Sequence, residues 1–226
     1  MGFAKGMKAI EKATERKSND FAKRVKLADG QAVEVRLINE MDDDSPHYDP
    51  ARGLAGVVKQ HVSPFNWLKK AECTMETEGR CWACEQAQAL VGTENGKKWR
   101  WKQRFYANVL VDDKVDEPYL AYLDLATYRN NVYETIKDHF LDTGSVSNVV
   151  WKMKRSGSGQ NDTTYLFQVR SIDSKPFEWP ADLVPYELEQ LVPTIPYDEQ
   201  AAFYGVASFV EEINEETGEV SEAVKW

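Results

Sequence analysis

The chain has 226 residues, of which 42% are hydrophobic and 29% charged, and its formal net charge is −9. These values are ordinary for a folded globular protein and allow one sizeable core. No run of about 18 apolar residues is present and the basic N-terminus lacks the apolar segment of a secretory signal, so we expect no membrane span and a cytoplasmic location.

The negative charge is concentrated near the end of the sequence. Residues 171–226 contain thirteen Asp or Glu and only two Lys, a balance of −11, so that residues 1–170 carry +2 of the total −9. The body of the protein can therefore present a basic surface in spite of the acidic total, and a polyanionic partner is not excluded.

In chain order, the apolar patterns predict short strands with a few helices. A turn signal at residues 28–31 predicts a hairpin between residues 21–27 and a strand at 32–38. Further strands are predicted at residues 53–61, 104–111, 119–123, 146–154 and 164–172, helices at 85–91 and 126–140, and short helical pieces at 186–191 and 199–206. For residues 1–20 we predict a basic arm that contacts phosphates or a neighbouring protomer. The alternative is a frayed terminus without a role.

Five or six short strands with one helix before the last hairpin predict a mainly β, α+β fold of the OB-barrel type. The domain organisation we expect is a basic arm at 1–20, an OB-fold core at 21–180 with a zinc subdomain inserted at about 50–98, a short helical segment at 181–210, and an acidic tail at 211–226.

All three cysteines lie in one short stretch with a histidine upstream. The spacing is His61-x11-Cys73-x7-Cys81-x2-Cys84. Three thiolates and one imidazole suit tetrahedral Zn²⁺, and four protein ligands leave no position for water, so we predict a structural zinc site. His47 competes with His61 for the fourth position. The alternatives are a buried structural cysteine set and a CxxC redox pair.

After the cysteines, aromatic and basic side chains alternate over a short run. Aromatic rings stack on bases of any sequence and cationic side chains neutralise phosphates, which is how proteins hold single strands. The predicted DNA-binding residues are Arg36, Trp99, Arg100, Trp101, Lys102, Arg104, Phe105, Tyr106, Tyr119, Tyr122, Tyr128, Trp151, Lys152, Lys154 and Arg155. The alternative for each aromatic side chain is a place in the core.

From about residue 211 the sequence is acidic and poor in large apolar residues, which predicts a disordered tail. The tail maintains solubility, or it competes with nucleic acid for the basic surface and recruits partner proteins. Because Val224 and Trp226 end the segment in an acidic setting, as in a docking peptide, we favour recruitment.

Several segments between residues 16 and 170 resemble, in order, the motifs of one known family. They are residues 16–18, 30–33 with 36–37, the His-Cys-Cys-Cys set, residues 102–111, 119–122 and 151–154. In these segments the chain resembles the zinc-containing single-stranded-DNA-binding proteins of T-even-type and related tailed bacteriophages. Its cysteine spacings are slightly shorter, and its basic N-terminal motif does not stand at the extreme terminus.

The resemblance implies an OB-fold core and a zinc subdomain with a cleft that takes single-stranded DNA, lined by Arg100, Lys102, Arg104, Phe105 and Tyr106. It implies a protein that coats and protects single strands in phage DNA replication, recombination and repair, in the cytoplasm of an infected bacterium. The N-terminal motif would mediate self-association along DNA, and the acidic tail would recruit phage replication and recombination proteins.

The sequence contains no recognised catalytic arrangement, such as paired carboxylates beside a histidine or a phosphate-cradling glycine loop. We therefore expect a binding protein rather than an enzyme. A zinc nuclease would need an open metal position and carboxylate ligands, which the predicted site lacks. A zinc-ribbon adaptor for protein interaction or transcription is the alternative, but it leaves the aromatic and basic run unexplained.

Overall fold

A computed structural model describes residues 22–159, 162–172, 179–180 and 182–205. The strands are β1 (Ala32–Leu37), β2 (Gly56–Val62), β3 (Lys70–Glu72), β4 (Lys102–Asp112), β5 (Tyr119–Ala126), β6 (Val149–Ser156) and β7 (Thr164–Ile172). The helices are α1 (Trp82–Ala89), α2 (Glu94–Trp99), α3 (Asn131–Thr143) and α4 (Tyr197–Phe203), with a 3-10 helix at Leu188–Leu191. The predicted basic arm at 1–20 and acidic tail at 211–226 lie outside the described residues. Among the described residues, no helix has the length and apolar character needed to cross a membrane.

The chain divides into two compact units. The first is built from the described parts of residues 1–58 and 103–191, and the second from residues 59–102 together with the described residues after 191. The second unit contains all four predicted zinc ligands. It also contains α4, which was predicted to belong to a separate helical segment at 181–210.

Antiparallel pairing organises the first unit. β1 lies between β4 and β6, with Val35 opposite Val111 on one side and opposite Trp151 on the other. Within this unit the strand order is β4-β1-β6-β7, and β5 also pairs with β4. The fold is thus α+β with a mainly antiparallel sheet, as predicted. In the part of the chain that the structure describes, the sheet does not close into a barrel.

Alternation along the strands places one face of this sheet in the core. In β1, Val33, Val35 and Leu37 are buried, and the residues between them are half-buried on the other face. In β6, Trp151 is fully buried, with its ring stacked on that of Phe167 at 4.8 Å between centroids. Each large apolar side chain buried in this way contributes about 1.5–3 kcal/mol to folding.

The helix on this core begins later than the sequence predicted. The prediction covered residues 126–140, whereas α3 begins at Asn131. The side chain of Asn130 accepts hydrogen bonds from the backbone N–H of Val132 and of the next residue, so Asn130 caps the helix. Val132 and Ile136 are buried on the core side of the helix, whereas Tyr128 lies outside the helix and is exposed.

The predicted hairpin between residues 21–27 and β1 is wrong. Arg24 forms a parallel bridge with Tyr122 of β5, and the Val25 N–H donates to the Tyr122 carbonyl at 3.0 Å. Gly30, with φ of 75°, lies in the turn that the sequence indicated. A turn signal shows where a chain bends, but it does not show which strand the preceding residues join.

Helix α2 was not predicted, because Gly92 and Gly96 indicated a break. Thr93 caps the helix by accepting from the Gly96 N–H at 3.0 Å. A Cβ atom at Gly96 would lie 2.1 Å from the Leu90 carbonyl oxygen, so glycine is required here by close packing of α2 against the end of α1.

A buried carboxylate joins two loops of the first unit. Glu40 is 1% exposed and accepts hydrogen bonds from the hydroxyls of Ser145 (2.6 Å) and Ser147 (2.5 Å) and from the N–H of Val146 (3.0 Å). Burial by itself raises the pKa of a carboxyl, but these hydrogen bonds outweigh it and lower the pKa of Glu40 from 4.5. The ionised side chain thus holds the segment that leads into β6.

Replacing Glu40 by Gln keeps the shape of the side chain and removes its charge. We expect a loss of about 1–3 kcal/mol in the free energy of unfolding at pH 7, because the new amide N–H faces groups that themselves donate. Since folding lowers the pKa of Glu40, its contribution to wild-type stability is complete above its ordinary value of 4.5 and is lost as the pH falls through the lower folded value. Urea denaturation from pH 7 to pH 3 measures both effects.

The matched control is Glu134→Gln on α3, where the carboxylate is about half exposed and pairs with Lys137 at 3.4 Å. We expect this change to stay within about 0.5 kcal/mol of the wild type. A Glu40 variant as stable as the wild type across the whole pH range would show that the carboxylate does not hold the loop.

Candidate metal centre and nucleic-acid surfaces

Four donor side chains converge in the second unit. His61 lies in β2, Cys73 follows β3, and Cys81 and Cys84 lie at the start of α1. Their donor atoms all lie within 4.8 Å of one another. The His61 Nε2 atom is 3.5 Å from the Cys81 Sγ and 3.4 Å from the Cys84 Sγ, and the Sγ atoms of Cys73 and Cys84 are 3.5 Å apart.

These separations fit a tetrahedral metal site. Zn–S bonds of about 2.3 Å and a Zn–N bond of about 2.0 Å place two thiolates about 3.8 Å apart and a thiolate about 3.5 Å from the imidazole nitrogen. All three cysteines are free thiols. The cluster can therefore hold a metal ion, and its soft donor set is consistent with zinc.

A backbone carbonyl fixes the orientation of the histidine. His61 is fully buried, and its Nδ1 lies 2.6 Å from the carbonyl oxygen of Trp99. Only a protonated Nδ1 can donate to that carbonyl, so the lone pair of Nε2 faces the three cysteines, as a metal ligand requires. The geometry selects His61 as the fourth donor over His47, which belongs to the first unit.

The electrostatics of the cluster favour a cation at its centre. Burial raises the pKa of the Cys81 thiol, and the backbone N–H groups of Cys84 and Thr74, which donate to its sulfur, act in the opposite direction and stabilise the thiolate. Burial, together with the neighbouring Cys73, raises the pKa of Cys84. One buried thiolate is therefore tolerated, whereas three require a compensating cation, so metal binding releases protons from the remaining thiols.

Helix α4 joins the two loops that carry the cysteines. Gln200 is 1% exposed; its Oε1 accepts from the Trp82 N–H at 3.0 Å, and its Nε2 donates to the Thr74 Oγ1 at 2.9 Å. Trp82 follows Cys81 and Thr74 follows Cys73 in the sequence. One amide side chain thus supports two metal ligands through their neighbours, and Gln200 is a positioning residue of the centre.

Aromatic packing completes the second unit. Tyr204 is 1% exposed, and its ring packs against Trp99 (5.3 Å between centroids) and Trp82 (6.2 Å). Burial raises the pKa of Tyr204. The sequence predicted a helical piece from residue 199 but gave no sign of this packing, because a helix of seven residues does not reveal which surface it covers.

Four aromatic residues predicted to contact DNA are core residues instead. Trp99 is 3% exposed in the second unit, and Phe105 and Trp151 are 1% and 0% exposed in the first. Tyr106 is 2% exposed, with its ring stacked on that of Tyr122 at 6.2 Å. A base cannot stack on a ring without an exposed face, so these four assignments are corrected. β4 is buried on both faces from residue 105 to 111, which its alternating pattern did not reveal.

The second unit keeps an exposed aromatic and cationic group where β4 begins. Trp101 is 48% exposed, and the Lys59 Nζ lies 5.3 Å from its ring centroid while also pairing with Glu76. Arg100 and Lys102, on either side of Trp101 in the sequence, are exposed. We call Lys59, Arg100, Trp101 and Lys102 the Trp101 surface.

The first unit carries a similar pair in the turn before α3. Tyr128 is 73% exposed, and the Arg129 guanidinium lies 5.0 Å from its ring centroid. Arg129 has φ of 51°, a left-handed conformation that costs energy in a residue other than glycine. Strain of this kind is concentrated at functional sites. We call these two residues the Tyr128 turn.

Three predicted basic residues share the outer face of β1 and β6. Arg36, Lys152 and Lys154 alternate with buried residues and are half-buried themselves. Lys152 lies opposite Glu34 in register, and Glu34 forms ion pairs with Lys114 and Arg170. The structure brings the three basic residues to one face, which they share with the acidic side chain of Glu34.

Four further predicted residues are held by intramolecular contacts. The Arg104 Nε donates to the Asp124 Oδ1 at 2.6 Å, and the Arg155 guanidinium donates to backbone carbonyls of the β6–β7 loop. Tyr119 and Tyr122 are half-buried on β5, and burial raises the pKa of both. These side chains support the first unit, and the two exposed surfaces above are better placed for a ligand.

Replacing Cys81 by Ser should lower the metal content of the purified protein well below the one ion per chain expected for the wild type, because a hydroxyl is a poor substitute for a thiolate at this site. Because metal binding and folding of such a site share one free energy, the melting temperature should fall as well. Elemental analysis and thermal denaturation measure the two effects. The control is Met75→Leu, in the loop between Cys73 and Cys81, which should leave the metal content unchanged. Full metal content in the Cys81 variant would contradict the assignment of the four side chains as metal ligands.

Replacing Gln200 by Ala should weaken metal binding by about tenfold or more, since supporting groups around metal ligands have effects of this size. The variant leaves the Trp82 N–H and the Thr74 hydroxyl without their Gln200 partner. Competition with a chelator of known affinity measures the change. Glu199→Ala, at an exposed position of the same helix, should have no effect. Equal metal affinity in the two variants would show that Gln200 does not position the ligands.

No protein-family model matches this chain, and no curated protein and no solved structure is detectably similar to it. The functional conclusion therefore depends on the metal cluster and on the two exposed aromatic and cationic surfaces.

Proposed function

We propose that the protein binds single-stranded DNA without sequence preference, and that a structural zinc ion stabilises the unit that carries the main contact. The observation that carries this proposal is the Trp101 surface, where a half-exposed indole has a lysine over its face and two cations beside it in the sequence. An exposed flat ring can stack on any base, and adjacent cations neutralise the phosphates.

Zinc is the metal that best suits three thiolates and one imidazole. His61, Cys73, Cys81 and Cys84 fill all four tetrahedral positions, so no position remains for water or a substrate. The ion would join β2, the loop after β3 and the start of α1. This saturated site supports a binding protein rather than a zinc-dependent enzyme.

Exposed rings favour a single strand over a duplex. Bases in a duplex stack on one another and offer only their edges in the grooves, whereas a base in a single strand has a free face. The Tyr128 turn offers the same combination of an exposed ring and a nearby cation in the first unit. Two such surfaces in one chain support contact with several nucleotides.

The antiparallel sheet of the first unit supports an OB-type framework for the DNA-binding core. Together with the resemblance described above, it supports a role in coating and protecting single strands during phage DNA replication, recombination and repair in the cytoplasm of an infected bacterium. In this role the acidic tail at 211–226 would recruit replication and recombination proteins, and the basic arm at 1–20 would mediate self-association along DNA.

Two variants of the Trp101 surface test the proposal. Trp101→Ala should weaken binding to oligo-dT about fivefold or more, because one stacked base is worth about 1–3 kcal/mol. Lys102→Gln should reduce the slope of log K against log salt concentration by about 0.7, the change expected for one lost phosphate contact. Fluorescence anisotropy of labelled oligo-dT at several salt concentrations measures both quantities.

The matched control is Val115→Ser, a change at an apolar side chain that is 84% exposed in the β4–β5 turn. It should leave both the affinity and the salt slope unchanged. If the wild type bound oligo-dT no better than duplex DNA or polyglutamate, the proposal would fail and the protein-interaction adaptor would be favoured.

A further inference from the structure

The loop between β2 and β3 presents three large apolar side chains to solvent within four residues. Phe65 is 71% exposed, Trp67 72% and Leu68 66%. We call residues 63–69 the aromatic loop. Single exposed apolar side chains are common on protein surfaces, but a contiguous group that includes two aromatic rings indicates a binding site.

Hydrogen bonds within the aromatic loop fix its shape. The Ser63 hydroxyl donates to the Tyr204 carbonyl at 2.8 Å and accepts from the N–H of Phe65 and Asn66 at 3.2 Å each. The Asn66 side chain accepts from the Leu68 N–H at 3.0 Å. The exposed rings thus lie on an ordered turn. Because the turn is already ordered, a ligand that stacks on the rings binds with little loss of conformational entropy in the loop.

The loop is also connected to the metal centre. The Phe65 ring lies edge-on to that of Trp99, with 6.3 Å between centroids. The carbonyl of Trp99 accepts from the Nδ1 of His61, which faces the three cysteines with its other nitrogen. Trp99 therefore contacts both sites, since its backbone carbonyl orients the metal ligand and its ring packs against the first ring of the aromatic loop.

The aromatic loop and the residue that follows it carry lysines and no acidic side chain. Residues 63–70 contain Lys69 and Lys70 and no Asp or Glu. Lys69 and Lys70 directly follow Leu68. Flat rings beside lysines are complementary to a ligand that combines flat apolar groups with negative charge, which is the chemistry of a single-stranded nucleic acid.

We propose that the aromatic loop is a second stacking site for single-stranded DNA in the second unit. Trp67 and Phe65 take bases, and Lys69 neutralises a phosphate of the same stretch. This inference depends on the proposed function and extends the DNA contact to residues outside the basic and aromatic run at 99–106.

The test uses the full-length, zinc-loaded chain with the double change Phe65→Ala and Trp67→Ala. Loss of two stacked rings should weaken binding to oligo-dT about tenfold or more, with the metal content unchanged. The single change Trp67→Ala leaves in place Phe65, the ring that contacts Trp99, and should weaken binding to oligo-dT about fivefold. Trp67→Phe should retain most of the wild-type affinity, because it keeps a flat ring. Leu141→Ala, at a position 70% exposed on α3, is the control and should bind as the wild type does.

The possible outcomes separate this inference from the proposed function. If the Trp67→Ala and double variants bind with wild-type affinity and Trp101→Ala binds more weakly, the proposal for the aromatic loop is overturned and the proposed function is kept. A wild type that does not bind oligo-dT overturns both. Unchanged DNA affinity together with lost binding to phosphatidylglycerol vesicles, or with a change in oligomeric state, would assign the loop to a lipid surface or to a second copy of the chain and overturn the inference.

Discussion

The convergence of one imidazole and three thiols is the interaction on which the second unit depends. Its secondary structure elements are short: β3 has three residues, α2 six, α4 seven and α1 eight. Elements of this length are not stable by themselves. Their shared apolar core is small as well, with six buried members including two of the cysteines. A structural zinc site supplies about 10–16 kcal/mol in small metal-binding domains, which is enough to decide whether such a unit folds.

The metal centre and the proposed DNA contacts share the residue Trp99. Its backbone carbonyl accepts the hydrogen bond of His61, its ring packs against Tyr204 and Phe65, and it directly precedes the exposed residues of the Trp101 surface. Residues that orient a metal ligand on one side therefore position exposed rings on the other. In the proposed function, a metal with no chemical role would affect DNA affinity through these shared residues.

Local sequence signals predicted the parts of the structure that depend on local chemistry. The spacing of the His and Cys residues predicted the ligand set, and the alternation of residues 164–172 predicted β7 at its observed bounds. Signals that depend on distant partners were not available. Gln200 meets Thr74 across 126 residues of sequence, and the segment at 22–27 joins β5 rather than β1.

Burial of aromatic residues was the main point that sequence patterns could not decide. Trp99 and Trp101 are two positions apart, so in a strand their side chains would lie on the same face, and both have basic neighbours. Yet Trp99 is a core residue and Trp101 is half exposed. Trp99 ends α2, so the alternation of a strand does not apply to it, and its ring is buried against Trp82 and Tyr204. Phe65 and Trp67 were not among the predicted DNA-binding residues, and no local pattern distinguished them as exposed.

Titration of the intrinsic tryptophan fluorescence with oligo-dT, before and after removal of the metal by a chelator, tests the central claim most directly. The account predicts strong quenching of the zinc-loaded protein by the single strand, a weak response to duplex DNA, and loss of quenching without metal that is restored by added zinc. Quenching that is identical with and without metal would contradict the link between the metal centre and the DNA contact. No quenching by the single strand would contradict the DNA-binding function itself.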